Sequence, residues 1–266
     1  MKRIYPAVTL FSALISLFFP AIGGTQETLF SGRTFAAASK PSSLISGDFD
    51  GDSKLDIVTV TGYSSTLSVS LGKGDGGFIA KVDYPTGANP LVVAMGDLNS
   101  DGKLDIVTAN YNDSTVSILL NNGNGTFAAK VDYATGSGAR SVAVGDFDGD
   151  GKPDLVTTNA TAGTASILLN VGNGTFANKV DYVVGSGARS VAVGDFNSDG
   201  KLDVVTANYL SNTVSVLFGN GNGTVSAKTD YATKQPCIVI SYFCRVVQAK
   251  QRPFAPMLVL PLAWQL

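Results

Sequence analysis

The sequence predicts an all-β fold assembled from repeated four-stranded units, and two observations carry that prediction. First, a period of 49 residues runs through the chain, with Asp48, Asp97, Asp146 and Asp195 each opening a closely similar loop. Second, every period holds runs rich in Val, Ile, Thr, Phe and Tyr, separated by Gly, Asn and Asp. None of these runs shows a 3.6-residue apolar stripe long enough for a helix. Four short strands per unit, with each unit stacked between two others, is the signature of β-propeller blades. A linear β-solenoid is the competing architecture, but its coils are usually shorter than this period. The full unit occurs at roughly residues 43–84, 91–133, 140–182 and 189–231. Four blades are few, so the expectation includes an incomplete, open propeller.

Taken in chain order, residues 1–23 read as a secretory signal peptide. Lys2 and Arg3 supply the positive start, an uncharged and largely apolar run follows to Phe19, and small residues stand at Ala21, Gly23 and Gly24. The run is short for a retained membrane anchor, so export with cleavage of the segment is expected. The repeat region is placed at 28–233. Its first piece, GRTFAA at 32–37, echoes GTFAA at 125–129 and reads as a strand separated from the rest of its unit.

In the third copy the four expected strands are 141–147, 154–159, 164–170 and 175–182. Runs such as SILLN and IVTAN are apolar at consecutive positions, as expected when neighbouring sheets cover both faces. The turn GNGTF recurs, ending at Phe127 and Phe176, with Phe78 and Val225 at the same place in the other copies. Its Asn-Gly and Gly-Asn pairs supply the positive-φ positions of a tight hairpin. That chemistry accounts for the sequon-like Asn124, Asn173 and Asn222 without a sugar; Asn112 and Asn159 match the same triplet. Tyr84, Tyr133, Tyr182 and Tyr231 also recur at the period. They read as packing on the outer strands, with a ligand-stacking row as the alternative.

The loops carry the chemistry. In the third, Asp146, Asp148 and Asp150 occupy positions 1, 3 and 5, Lys152 sits at position 7 and Asp154 at position 9. Alternate spacing lets the carboxylates converge while the intervening residues point away, and Gly151 permits the sharp turn. The corresponding sets are Asp48, Asp50, Asp52 and Asp56; Asp97, Asn99, Asp101 and Asp105; and Asp195, Asn197, Asp199 and Asp203. Hard oxygen donors without nitrogen or sulfur favour Ca2+, up to four ions in all. An EF-hand begins alike but needs a bidentate Glu at position 12 and flanking helices. Here position 12 is Thr59, Thr108, Thr157 or Thr206, each within a β-branched run, so the loop joins two strands. The third loop, with four carboxylates and its Gly intact, is expected to bind tightest. In the first loop Ser53 replaces that Gly, which leaves its geometry open.

These loops, the L-D-[IV]-V-T strand that follows them and the N-G-N-G-T-F turn resemble the FG-GAP or VCBS repeats of integrin-α-type calcium-binding β-propellers. The resemblance covers about residues 28–233. It implies calcium in each loop, a propeller commonly of seven blades, and an extracellular binding or adhesion role.

Composition narrows the function further. The net charge of -2 offers no basic field for nucleic acid. Fourteen of the 21 acidic residues are Asp within the four loops, where a cation can use them. The chain has no histidine, which removes the commonest general base, the Ser-His and Cys-His pairs, and His-based zinc, copper and iron sites. Catalysis is therefore not expected. The partner is expected to be an extracellular protein or glycan, with no membrane insertion once the signal is cleaved. A second expectation is an accessory propeller of an exported hydrolase. After Thr233 the repeat stops, and 234–266 is a divergent tail carrying Cys237, Cys244 and Trp264. It reads as a frameshifted or truncated continuation, which raises a third expectation of a product without activity. The two cysteines read as incidental thiols more readily than as a disulfide.

Overall fold

The computed structural model describes residues 40–233. The signal segment, the strand at 32–37 and the tail with its cysteines lie outside the described residues. Among those described there are eighteen strands and no helix. The first sheet is β1 (Ser43–Gly47), β2 (Asp56–Thr61), β3 (Thr66–Ser70) and β4 (Val82–Pro85). The second is β5 (Pro90–Gly96), β6 (Asp105–Asn110), β7 (Thr115–Leu119) and β8 (Val131–Ala134). The third begins with β9 (Ala139–Gly145), β10 (Asp154–Asn159) and β11 (Thr164–Leu168). It is completed by β14 (Val180–Val183), after a two-stranded hairpin of β12 (Asn170–Gly172) and β13 (Thr175–Phe176). The fourth is β15 (Ala188–Gly194), β16 (Asp203–Asn208), β17 (Thr213–Leu217) and β18 (Thr229–Ala232). Each four-stranded sheet is an antiparallel meander, so each is one blade.

The first strands of successive blades lie against one another, β1 on β5, β5 on β9 and β9 on β15, which makes them the inner edge of the stack. The four sheets do not close into a ring. The central strands β6, β10 and β16 are buried at all six positions, as consecutive apolar runs require when a sheet is covered on both faces. The outer strands are mostly exposed.

Three apolar clusters lie between blades, and a fourth, with Val205, Ala207, Val214 and Val216, lies within the last blade. Phe49, Val58, Leu67 and Val69 of the first blade meet Val93, Ile106, Leu119 and Phe127 of the second. Val107, Val116 and Ile118 of the second meet Val142, Leu155, Leu168 and Phe176 of the third. Phe147, Val156 and Ile167 of the third meet Val184, Val204, Leu217 and Val225 of the fourth. A fully buried Leu, Ile or Phe stabilises by about 1.5–3 kcal/mol, so a blade without a neighbour lacks the term that holds it together.

Two departures from the expected strands have physical causes. The run expected at 175–182 is not one strand. Thr175 and Phe176 pair with β12, and the outer strand restarts at Val180. The other blades make the same detour through single bridges, Gly72–Phe78, Asn121–Phe127 and Gly219–Val225. The detour carries Phe127 and Phe176 edge-on to Tyr84 and Tyr133 of the preceding blade, at ring-centroid distances of 5.5 and 5.4 Å. Those two tyrosines of the periodic row therefore serve packing between blades.

The second departure is a buried polar seam inside the runs read as apolar. In the second blade Thr108 Oγ1 donates to Asn110 Oδ1 (2.9 Å), and Asn110 Nδ2 donates to Thr115 Oγ1 (3.0 Å) and Ser117 Oγ (2.8 Å). Ser117 donates to Asp132 (2.7 Å), which pairs with Lys130 at the outer edge. The third and fourth blades repeat the seam through Asn159 and Asn208. In the first blade Thr61 stands in place of the Asn, and its buried hydroxyl has no partner.

Candidate metal centre

Each aspartate loop connects the first and second strands of a blade, and its shape is set by hydrogen bonds from the loop's own amides. In the third loop, Asp146 accepts from the Gly149 and Gly151 N–H groups at 2.7 and 2.9 Å. Asp48 does the same for Gly51 and Ser53, at 2.7 and 2.8 Å. Asp97 holds Asp101 and Gly102, and Asp195 holds Asp199 and Gly200.

The loop needs left-handed backbone twice. Position 6 has φ of 84° at Gly151 and 64° at Ser53; position 4 has 79° at Gly149 and 61° at Ser100. The first loop therefore keeps the common geometry, with Ser53 in a conformation that glycine adopts at lower cost. The requirement at position 4 is hidden in the sequence, where Ser alternates with Gly.

The position-9 aspartates are fully buried. Asp154 accepts from Phe147 N–H (2.8 Å) through one oxygen and from Asn170 N–H (2.7 Å) through the other. Asp56, Asp105 and Asp203 repeat both bonds. This carboxylate ties the loop to the turn after the third strand.

That turn also reaches the preceding blade. Asn121 Nδ2 donates to the Phe49 carbonyl of the first loop (2.9 Å) and to Leu104 of its own (3.0 Å). Asn170 likewise bridges Leu98 (2.8 Å) and Pro153 (3.0 Å). Gly223 N–H donates to the Phe147 carbonyl at 2.9 Å. Gly125 has φ of 75°, and a Cβ there would stand 2.7 Å from Leu71 Cδ1. Glycine in the N-G-N-G-T-F turn thus allows close approach to the neighbouring blade as well as a tight bend.

Sequence comparison matches an FG-GAP-like repeat at residues 48–108, 97–157 and 146–206, and an FG-GAP repeat at 187–227. The chain belongs to the FG-GAP repeat family. No curated protein matches it. Among solved structures, this FG-GAP chain is similar to an Agrocybe aegerita lectin that recognises non-reducing terminal N-acetylglucosamine. That match has 21% identity and a TM-score of 0.52, over 74% of this chain and 52% of the lectin. A candidate 6-phosphogluconolactonase from Bacteroides uniformis is 20% identical with a TM-score of 0.56, over 75% and 59% of the two chains. A Desulfotomaculum acetoxidans protein of unknown function is 17% identical with a TM-score of 0.55, over 76% and 60%. These likenesses show the fold alone, and the chain spans little more than half the length of each.

The FG-GAP loops differ in which acids they bring together. One carboxylate oxygen each from Asp48, Asp50 and Asp56 lie within 4.8 Å of one another, and so do those from Asp146, Asp148 and Asp154. Oxygens sharing a calcium ion at 2.3–2.6 Å stand no more than roughly 5 Å apart, so both clusters fit one hard divalent cation. The position-5 acids are turned aside: Asp52 pairs with Lys54 at 2.6 Å, and Asp150 pairs with Lys152. In the second and fourth loops Asn99 and Asn197 stand at position 3, accepting the amides of Asp101 and Asp199 at 3.1 and 3.0 Å. No acidic triad forms there among the described residues.

Burial raises the Asp154 carboxyl to about 6, against the two amide bonds that lower it and with added repulsion from Asp148 and Asp146. Burial likewise raises Asp105, and Asp50 is raised by desolvation. Three clustered carboxylates, one of them buried, resist joint ionisation, and a cation relieves that repulsion. Of the sequon-like residues, Asn159 is fully buried in the polar seam. Asn124 Oδ1 accepts from the amide and hydroxyl of Thr126, as its turn role requires.

Proposed function

We propose that this FG-GAP repeat protein is an exported, calcium-stabilised, non-catalytic recognition module for an extracellular protein or glycan. The observation that carries the calcium part is the pair of acidic triads, each built on a buried aspartate that also clamps its loop. Asp146, Asp148 and Asp154 would hold one ion and Asp48, Asp50 and Asp56 another. Asp150 and Asp52 would join on release from Lys152 and Lys54. Asp97, Asn99, Asp101 and Asp105, and Asp195, Asn197, Asp199 and Asp203, would form weaker sites with one charge fewer. The bound ion supplies charge neutralisation, and the chain's own groups shape the loop. The absence of histidine from the sequence supports a non-catalytic role.

Calcium titration of the whole chain, followed by calorimetry and by thermal unfolding with and without chelator, tests this reading. A site filled to one hundred times its Kd adds about 2.7 kcal/mol of stability. Chelation should lower Tm clearly, and the third loop should bind more tightly than the second. An unchanged Tm, or a weaker third loop in single-loop Asp→Ala variants, would overturn it.

A further inference from the structure

The end of the blades away from the aspartate loops carries a recess of about 620 Å³, in the size range of small-ligand sites. It is formed where three blades meet: the β2–β3 hairpin with Tyr63, the entry to β5 with Asn89, the β6–β7 hairpin with Tyr111 and Asn112, and Arg140 at the start of β9. Here the otherwise uniform repeat diverges. The period places Ser42, Leu91, Arg140 and Arg189 at one position, and Gly62, Tyr111, Ala160 and Tyr209 at another.

Arg140 and Arg189 are the half-buried cations without a carboxylate among the described residues, and Arg140 is the one that lines the recess. Seven lysines, at 54, 81, 103, 130, 152, 179 and 228, each pair with an aspartate two residues away. Arg140 is half-buried and has neither a carboxylate nor a hydrogen-bond acceptor among the described residues. Its charged neighbour is Arg189, which itself stacks 3.5 Å over the Tyr209 ring. Burial, and then Arg189, hold the Arg140 guanidinium below its ordinary pKa. Lys40 stands 5.2 Å from the Tyr63 ring on the same rim. The nearby carboxylate of Asp113 is already engaged by the Ala88 amide at 2.6 Å. A desolvated guanidinium without a counter-ion costs stability unless something supplies an anion, and its planar fork matches a carboxylate.

The other walls describe the rest of that ligand. Tyr63 is 83% exposed and offers an aromatic face. Asn89 and Asn112, joined at 3.3 Å, keep amide donor and acceptor capacity for hydroxyl groups. We propose that this recess binds an acidic saccharide, a uronate-type unit whose carboxylate docks on Arg140 while its ring lies against Tyr63. This rests on the recognition reading above and adds the class of ligand.

The test uses the calcium-loaded full chain and three probes, D-glucuronate, D-glucose and acetate, titrated by calorimetry and by saturation-transfer NMR. Glucuronate should saturate the protein, with glucose and acetate each at least about tenfold weaker, since a charge-assisted contact or the ring contact is missing. Arg140→Gln should weaken glucuronate roughly ten- to hundredfold without lowering Tm, because no intramolecular partner is lost. Tyr63→Ala should weaken it severalfold, and Arg189→Gln should change it little. No saturation by glucuronate, or an unchanged affinity in Arg140→Gln, overturns the proposal. Equal binding of glucose and glucuronate also overturns it, while leaving a recognition role intact.

Discussion

The third and second loops have nearly the same backbone and differ in one consequential side chain, Asp148 against Asn99. Both loops are folded by the position-1 aspartate, and both are anchored by a buried position-9 aspartate with two amide donors. Only the third assembles three acidic oxygens within reach of a shared ion. Shape and charge are thus encoded separately: positions 1 and 9 make the loop, and position 3 completes an acidic triad that could hold a cation. Asparagine at position 3 keeps the turn by accepting the same amide, so the exchange removes charge without unfolding the loop.

The hardest way to strain that comparison is to remove the anchor from both loops. Asp154→Ala and Asp105→Ala each leave two buried amides without acceptors, and each should cost about 3–5 kcal/mol in urea unfolding without calcium. A loss of stability seen only when calcium is added back would mean that the anchor acts only through the metal.

A second test exchanges charge. Asp148→Asn should weaken the third calcium site by about tenfold, and Asn99→Asp should strengthen the second by a similar factor. Without calcium, Asp148→Asn should raise stability slightly and Asn99→Asp should lower it slightly, because a clustered carboxylate is removed or added. Calorimetric titration reads the exchange directly, and unequal shifts would show that loop shape also differs.

The polar seam offers a smaller contrast. Asn159→Thr gives the third blade the first blade's residue, removes donors to Thr164 and Ser166, and should cost about 1–3 kcal/mol by equilibrium unfolding. The smallest effect is expected from Ser53→Gly. It relieves a left-handed serine in the first loop and should raise stability by about 0.5–1 kcal/mol, seen as a slight rise in Tm.

Much of this architecture was legible in advance. The individual strands, the hairpin turns and the exclusion of an EF-hand follow from residues within a dozen of one another, and the blade repeat follows from their recurrence every 49 residues. Spacing of i and i+2 places alternate side chains together, and Asn-Gly pairs dictate a hairpin, wherever the segment lies in the fold. Three features were not legible. The run after each third strand breaks in two, and in the second and third blades this carries Phe127 and Phe176 to a tyrosine of the preceding blade. Thr and Asn within IVTAN look like interruptions of an apolar strand, yet they form a bonded seam with Ser117 and Asp132 on other strands. Sequence spacing also made Asp150 and Asp52 equal to their neighbours, although Lys152 and Lys54 take them.

The sequence alone determined that an aspartate-rich loop repeats on β-propeller blades, because turn chemistry and strand periodicity are local properties. Tertiary structure decided which acids converge, which blade each glycine turn serves, and that Arg140 lines a recess with no carboxylate partner among the described residues. Those outcomes depend on partners in other blades, and partners brought together by packing leave no local mark in the chain.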